Sequence, residues 1–286
     1  MKRIIHVTDY SKNAVAALKY AYMLSSRLSA NLVVIHVFDI PTIMTTELKE
    51  PYYHLEKDTF KMHHTKLEEF CRKHLGQDLN KMGVSVEAVE DKSVVNGIVL
   101  KINELNASLV VTGMKGESKF KEFIMGNTTK HLIEKSPCPV LSIPSGASHP
   151  QIKTIVYATD FEEVDLDTVK KLTEIAKVFN AEIKIVHIAT NKEYDGKTQM
   201  AWFKELLENK ISYKKITCEV LPSGDIYNSL RVYLVDVEAD LIVFLEREHK
   251  GILDDILHRD LVKRMESYGQ IPLLSFNKIN YELLNF

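Results

Sequence analysis

Short apolar runs alternate with longer amphipathic segments along the first half of the chain. The apolar or alternating runs are 3–8, 32–37, 84–89, 109–111 and 140–143. Each of them suits a buried strand, and the segments between them place apolar residues at helical spacing. Strands separated by helices are typical of a parallel sheet that is covered on both faces. The pattern therefore predicts a doubly wound α/β fold, with its ligand crevice at the carboxyl ends of the strands.

The segment 38–56 is harder to interpret, and it contains Pro41 and Pro51. Its prolines predict an irregular loop that could lie over a ligand. A long charged helix is predicted over about 56–82, with Leu67, Phe70, Cys71 and Leu75 on its inner face and the remainder in solvent.

The same pattern begins again after residue 150. The segment Lys2–Asp9 resembles Lys153–Asp160 at an offset of 151 residues, and Ala107–Val111 resembles Ala239–Val243 at an offset of 132. The second copy therefore lacks about nineteen residues, the difference of the two offsets, between its second and fourth strands. The repeat predicts two tandem doubly wound domains, 1–146 and 150–286, each a mostly parallel five-stranded sheet with helices on both faces.

The composition is that of a soluble globular protein, with 45% hydrophobic and 27% charged residues. The formal net charge of -2 argues against a nucleic-acid partner, which usually requires a basic excess. No run approaches the ~18 apolar residues of a membrane span, so no membrane partner is expected. The three cysteines are far apart and lack C-x-x-C spacing, which favours reduced thiols in a cytoplasmic protein.

The segment after the run 109–111 is the most informative for chemistry. Gly113 and Gly116 follow the strand, and nine residues later Gly126 leads into Asn127, Thr128, Thr129 and a helix. Glycines permit close approach of the backbone to a ligand, and the free N–H groups at a helix N-terminus suit phosphate. A glycine turn followed by an ordinary helix cap is the alternative interpretation, but the combined spacing is less generic. The spacing matches neither a Walker loop nor the Rossmann fingerprint.

This spacing resembles the universal stress protein family, whose ATP-binding members carry G-x-x-G, nine residues, and then G-[ST]. Asn127 departs from that pattern, because it stands where the family usually has Ser or Thr. The resemblance implies that the first copy binds ATP, with Mg²⁺ possible alongside the phosphates, and that Asp9 and Val37 contact the base. The predicted nucleotide-binding residues are Asp9, Val37, Thr112, Gly113, Met114, Lys115, Gly116, Gly126, Asn127, Thr128 and Thr129.

Several of these residues also have a purely structural interpretation. Asp9 could form an Asx turn or serve as a carboxylate at a helix N-terminus, and its counterpart Asp160 persists in the second copy. Val37 could simply belong to the core. His36 recurs as His187, and recurrence in a copy without the glycine motif favours packing over catalysis.

The second copy has lost the glycine motif. Aligning Val111 with Val243 places Leu245, Glu248 and His258 at the three glycine positions. Glu246 and Glu248 would also repel a triphosphate. The second domain is therefore expected not to bind ATP by this route, and to be a structural partner or to hold a different ligand.

The resemblance implies a regulatory, stress-responsive protein that binds an adenine nucleotide and hydrolyses it slowly at most. No catalytic residue is assigned, because no residue stands out as a group that would orient water. The rival interpretations are an interaction scaffold that no longer binds nucleotide, and a true ATPase or nucleotidyl transferase. Because this family dimerises, 140–143 and 273–276 are expected to pair edge to edge in an intramolecular pseudo-dimer. Homodimerisation of the whole chain is a further possibility.

Overall fold

The computed structural model describes residues 2–40, 49–114, 127–147, 151–159, 161–189, 196–246, 271–277 and 279–280, with only the backbone for 49–56. The first half contains β1 (Arg3–Val7), α1 (Lys12–Arg27), β2 (Asn31–Phe38), α2 (Lys49–His74), β3 (Val84–Glu90), α3 (Val94–Leu105), β4 (Leu109–Gly113), α4 (Asn127–Lys135) and β5 (Val140–Ile143). The second half contains β6 (Thr154–Ala158), α5 (Glu163–Phe179), β7 (Glu182–Ala189), α6 (Gly196–Lys210), β8 (Ile216–Pro222), α7 (Ile226–Asp236), β9 (Leu241–Glu246) and β10 (Leu273–Asn277).

The ten strands within the described ranges form one sheet in the order β3-β2-β1-β4-β5-β10-β9-β6-β7-β8. Every neighbouring pair is parallel except β5 and β10, which are antiparallel, with Leu141 opposite Leu274. Each half therefore repeats one strand order, and the halves meet at their fifth strands. The predicted fold class is confirmed, as is the predicted pairing of 140–143 with 273–276.

The repeat extends to unusual backbone conformations. Three pairs of non-glycine residues have positive φ at the offsets seen in the sequence: Tyr10 and Phe161, Ser29 and Asn180, Asn106 and Glu238. Positive φ is uncommon outside glycine, so a chance match at three equivalent positions would be unusual. The two halves thus share local geometry as well as topology.

Helices cover both faces of the sheet. On the face covered by α1 and α5, one apolar cluster runs across both halves and includes Leu141 and Leu274 from the strands that join them. On the other face, separate clusters lie beneath α3 and α4 in the first half and beneath α7 in the second. Buried apolar area is thus continuous across the junction of the halves, which stabilises their association. Among the helices that the structure describes, none has the length and hydrophobicity of a bilayer-spanning segment.

Helix α2 differs from the sequence prediction at both ends. It begins at Lys49 rather than near 56, and it ends at His74 rather than at 82. Pro51 lies in the first helical turn, where a missing N–H costs nothing because that group has no acceptor within the helix. Gly76 has φ of 148° just beyond the end, so the chain turns there. Residues 41–48 of the predicted loop lie outside the described residues.

The inner face of α2 and the position of the deletion agree with the sequence. Leu67, Phe70 and Cys71 are buried, and Leu75 packs against the same cluster. Helix α2 has 26 residues, whereas its counterpart α6 has 15. Most of the residues missing from the second copy therefore correspond to part of α2.

Candidate functional site

The direction of strand order reverses between β1 and β4. From β1 the chain adds β2 and β3 on one side, whereas β4 and β5 lie on the other side. In open α/β sheets ligands bind at such a switch point, outside the carboxyl ends of the strands. Val7, near the end of β1, lies beside Thr112, near the end of β4. The structure thus brings the predicted residues Asp9, Thr112 and Gly113 to one edge.

Gly113 allows an unusually close approach of α1 to β4. A Cβ atom at this position would lie 2.8 Å from the carbonyl carbon of Asn13, 2.9 Å from its oxygen and 3.1 Å from the nitrogen of Ala14. All three atoms belong to the backbone and cannot rotate away. Gly113 therefore has a packing role at the edge of the crevice, whether or not a ligand binds there.

The first turn of α4 faces the end of β4. The hydroxyl oxygens of Thr112 and Thr129 lie 3.4 Å apart, and both residues are buried. Asn127 is exposed and Thr128 is half-buried, so the beginning of the helix is open to solvent. The first N–H groups of a helix lack acceptors within it and carry its positive dipole end, which suits an anion.

Asp9 forms the Asx turn that the alternative interpretation predicted. Its Oδ1 accepts the backbone N–H of Ser11 at 3.0 Å, and Ser11 in turn caps α1 by accepting the N–H of Ala14. Asp9 is nevertheless exposed, so its carboxylate is also accessible from the crevice.

Two predicted residues lie in packed clusters. Val37 is buried beneath α3, with its Cγ1 only 3.0 Å from where a Cβ of Gly97 would stand. Met114 is buried in a cluster formed mainly by second-half residues, and its N–H donates to the carbonyl of Ile143 at 2.8 Å. The predicted ligand contacts of Val37 and Met114 thus stay predictions. Lys115, Gly116 and Gly126 lie outside the described residues.

A group of aromatic and histidine rings at the same edge was missed from the sequence. The ring centroids of Tyr10 and His36 are 4.5 Å apart, those of His36 and His63 are 5.4 Å apart, and those of Phe38 and His63 are 4.0 Å apart. Nζ of Lys66 lies 4.3 Å from the centre of the Tyr10 ring. The spacing of His63, Lys66 and Phe70 along one helix face was the available signal.

Burial and nearby positive charge affect one histidine of this group. The pKa of His63 is lowered, first by burial and then by the charges of His36 and Lys66. Its stacking on Phe38 gives the half-buried side chain a packing role, although the charged sequence of this helix predicts a mostly solvated surface. Across the ranges that the structure describes, no three His, Cys, Asp or Glu side chains are grouped so as to hold a metal ion.

The recurring histidines make the same hydrogen bond in both halves. Nδ1 of His36 donates to the carbonyl of Thr8 at 2.8 Å, and Nδ1 of His187 donates to the carbonyl of Thr159 at 2.7 Å. The two contacts are related by the offset of 151 residues. This equivalence agrees with the predicted packing role.

A third histidine, His6, lies near the end of β1 and is fully buried. Its Nδ1 donates to the carbonyl of Val111 at 3.2 Å, which leaves Nε2 as an unprotonated atom without a partner among the described residues. Burial lowers the pKa of His6 to about 4, against smaller opposing effects of the Val111 hydrogen bond and the Asp9 charge. His6 is thus neutral at physiological pH.

The second half fills the equivalent edge with its own side chains. The carboxylate of Asp165, which is fully buried, accepts the hydroxyls of Tyr157 and Thr159 at 2.6 Å each and the N–H of Glu162 at 2.9 Å. In the first half, Ala14 occupies the position of Asp165. Leu245, which packs against the shared apolar cluster, stands where the first half has Gly113.

The fold is that of a known class of α/β protein. The model of the Universal stress protein family matches residues 1–144, and the chain belongs to that family. A curated relative, universal stress protein MJ0577 of Methanocaldococcus jannaschii, is 23% identical over 152 residues, which are 50% of this chain and 94% of the relative.

Two solved structures are similar to this chain to different extents. A universal stress protein from Archaeoglobus fulgidus is 16% identical, with a TM-score of 0.70 over 96% of this chain and 98% of that chain. A universal stress protein in complex with cAMP is 15% identical, with a TM-score of 0.35 over 50% of this chain and 97% of that chain. The Archaeoglobus protein shares the fold over nearly the full length of both chains.

Proposed function

We propose that this universal stress protein is a regulatory protein that binds ATP in its first half. The proposal places the nucleotide in a domain of residues 1–146, at the carboxyl ends of β1 and β4. One observation carries it: the end of β4 and the first turn of α4 lie together at the switch point, linked by the hydroxyls of Thr112 and Thr129. The exposed N-terminus of α4 supplies main-chain donors there for phosphate.

The remaining contacts follow from the family resemblance. Gly116 and Gly126 would let the loop approach the phosphates, and Lys115 would add positive charge. Asp9, which is exposed at the same edge, would accept a hydrogen bond from the ribose or from the adenine amino group. These contacts suit a nucleotide held mainly through its phosphates.

The group that best fits this edge is a nucleotide accompanied by its own metal ion. The described crevice residues offer main-chain donors and hydroxyls, with Asp9 as the exposed carboxylate. Mg²⁺ is therefore proposed to enter with the phosphates of ATP. It would neutralise part of their charge, while α4 and the glycine loop orient them.

Binding is proposed as the function, with slow hydrolysis at most. Fast hydrolysis needs a group that orients the attacking water. Asp9 accepts an N–H of its own turn, and Thr112 lies against Thr129, so these side chains already have structural roles. A scaffold that binds no nucleotide, and an ATPase or nucleotidyl transferase, are the rivals that the experiment below distinguishes.

Residues 150–286 are proposed to form a second domain. This domain acts as a structural partner of the first in an intramolecular pseudo-dimer. Its Asp165 carboxylate occupies the N-terminus of α5, which is the end of that helix that would otherwise attract an anion. Leu245 at the position of Gly113 removes the space for close backbone approach.

The proposal also places the protein in the cytoplasm and predicts one nucleotide site per chain. Sedimentation analysis would test homodimerisation.

Calorimetric titration of Mg²⁺ and ATP into nucleotide-free protein tests this function. Wild type should bind about one ATP per chain, and Gly116→Glu, which copies the second half, should lose binding while its circular dichroism stays native. Leu100→Glu adds the same charge at an exposed position on α3 and should bind normally. Two sites would contradict the role given to the second unit, and no binding would favour the scaffold. Multiple turnovers of phosphate release would show an enzyme.

A further inference from the structure

Two buried asparagines of the second half contact the end of a first-half helix. Nδ2 of Asn277 donates to the carbonyls of Ile133 at 2.8 Å and Ser136 at 3.0 Å. Nδ2 of Asn280 donates to the carbonyl of Ser136 at 3.2 Å. Ile133 lies in the last turn of α4, and Ser136 directly follows that helix. The pair, called here the asparagine clamp, thus caps the carboxyl end of α4 from the other half of the chain.

The orientation of both amides follows from their remaining hydrogen bonds. Oδ1 of Asn277 accepts the N–H groups of Ile279 at 2.9 Å and Asn280 at 3.0 Å, and Oδ1 of Asn280 accepts the N–H of Asn277 at 2.8 Å. Since an N–H can only donate, each amide oxygen must face its own turn. Each amide nitrogen must therefore face α4, so the orientation of both side chains in the clamp is fixed.

In the first half, the position equivalent to Asn277 is occupied by proline. The sheet registers make Val140 of β5 equivalent to Leu273 of β10, so Pro144 stands at the position of Asn277. Proline has neither an N–H nor a side-chain donor, and cannot make the equivalent contact. The half that carries the glycine motif therefore receives the clamp, and the half that has lost the motif provides it.

We infer that Asn277 and Asn280 are positioning residues for nucleotide binding, an inference that rests on the function proposed above. Helix α4 has only nine residues and spans about 14 Å, so fixing one end also constrains the other. Helices this short are marginally stable alone and depend on packing and caps. The clamp holds the carboxyl end of α4, and the amino end of the same helix carries Asn127, Thr128 and Thr129.

This arrangement gives the second half a specific role. It lacks a glycine motif of its own, but it determines how firmly the phosphate-binding helix of the first half is held. Because coupling between two sites is reciprocal, nucleotide bound at the amino end of α4 should also stabilise the turn at 277–280. Hydrogen exchange of that turn should slow when ATP binds.

Asn277→Ala tests the inference, with Tyr213→Phe as a matched control. The Tyr213 hydroxyl also donates to a main-chain carbonyl, that of Ala181, but both residues belong to the second half and lie away from α4. In Asn277→Ala, ATP should bind about fivefold more weakly with unchanged stoichiometry, which corresponds to one net hydrogen bond. Amide exchange over 130–135 should accelerate about tenfold. Tyr213→Phe should change neither quantity.

Asn280→Ala provides a second variant if Asn277→Ala does not fold. It removes one donated bond to α4 at 3.2 Å, together with the acceptor of the Asn277 N–H. Because Asn277 keeps its own two bonds to α4, the effect on that helix should be smaller and in the same direction. Faster exchange in α4 with unchanged ATP affinity would overturn the role in nucleotide binding. Unchanged amide hydrogen exchange over 130–135 would show that the two asparagines do not hold α4. If wild type binds no ATP, the proposed function and the role in binding both fail, whereas exchange in α4 still decides whether the asparagines hold the helix.

Discussion

The backbone of Asn13 lies against the bare Cα of Gly113. A Cβ atom on Gly113 would stand 2.8 Å from the Asn13 carbonyl carbon, closer than side chains approach backbone. The contact joins the first turn of α1 to the last residue of β4 across 100 positions of sequence. It lies at the edge of the sheet where nucleotide binding is proposed.

Gly113→Ala should therefore destabilise the protein by about 1–3 kcal/mol, because α1 or β4 must shift to admit the methyl group. Urea unfolding followed by circular dichroism measures the change. Gly224→Ala is the control, since a Cβ there would meet nothing within 4 Å. An unchanged unfolding midpoint for Gly113→Ala would show that α1 moves away freely.

Asp165→Ala should be among the most destabilising substitutions in the second half. It removes the acceptor of the Tyr157 and Thr159 hydroxyls and leaves both donors in a buried site. The expected loss is about 3 kcal/mol in urea unfolding. Asp167→Ala, at an exposed position of the same helix, should change stability by less than about 0.5 kcal/mol. Similar midpoints for the two variants would contradict the importance of this buried carboxylate.

Much of the fold could be predicted from local pattern and repetition. The continuous apolar runs identify the strands, and the similarity of Lys2–Asp9 to Lys153–Asp160 identifies the duplication. The start of α2 was missed because Pro51 normally argues against helix, and its harmless place in the first turn depends on where the helix begins.

The site was less predictable because its constraints come from residues distant in sequence. The glycine at position 113 predicts a place for ligand approach, whereas in the structure it lies against the backbone of Asn13. Met114 was grouped with the glycines by proximity in sequence, but it packs among second-half residues. Asn277 carries no motif, and its contact with Ile133 appears only when β10 lies beside β5.

Stability should fall as the pH decreases below about 6.5, because His6 is buried in its neutral form. Its pKa is about 4 in the folded protein and close to 6.5 when the chain unfolds, so the unfolded state binds more protons between these values. This residue should therefore contribute a loss of up to about 1.4 kcal/mol per pH unit through that interval. His63 and His74, whose pKa values burial also lowers, act in the same direction.

Urea unfolding at several pH values between 7.5 and 5 measures this loss. His6→Gln keeps a donor for the Val111 carbonyl but does not titrate, so stability should depend less steeply on pH in that variant. A constant dependence on urea concentration across the series controls for changes in the unfolded state. Equal pH slopes for wild type and His6→Gln would show that His6 is not the source.

Thr129→Val and Thr112→Val separate stability from nucleotide binding at the end of β4. The two hydroxyl oxygens are 3.4 Å apart, too far for a strong hydrogen bond, so each near-isosteric change should cost no more than about 1 kcal/mol of stability. If bound phosphate recruits these hydroxyls, each variant should bind ATP several-fold more weakly in calorimetry. Thr173→Val, which removes a buried hydroxyl that donates within α5, should leave ATP affinity unchanged. Wild-type affinity in both Thr112→Val and Thr129→Val would restrict phosphate recognition to the main chain and the glycine loop.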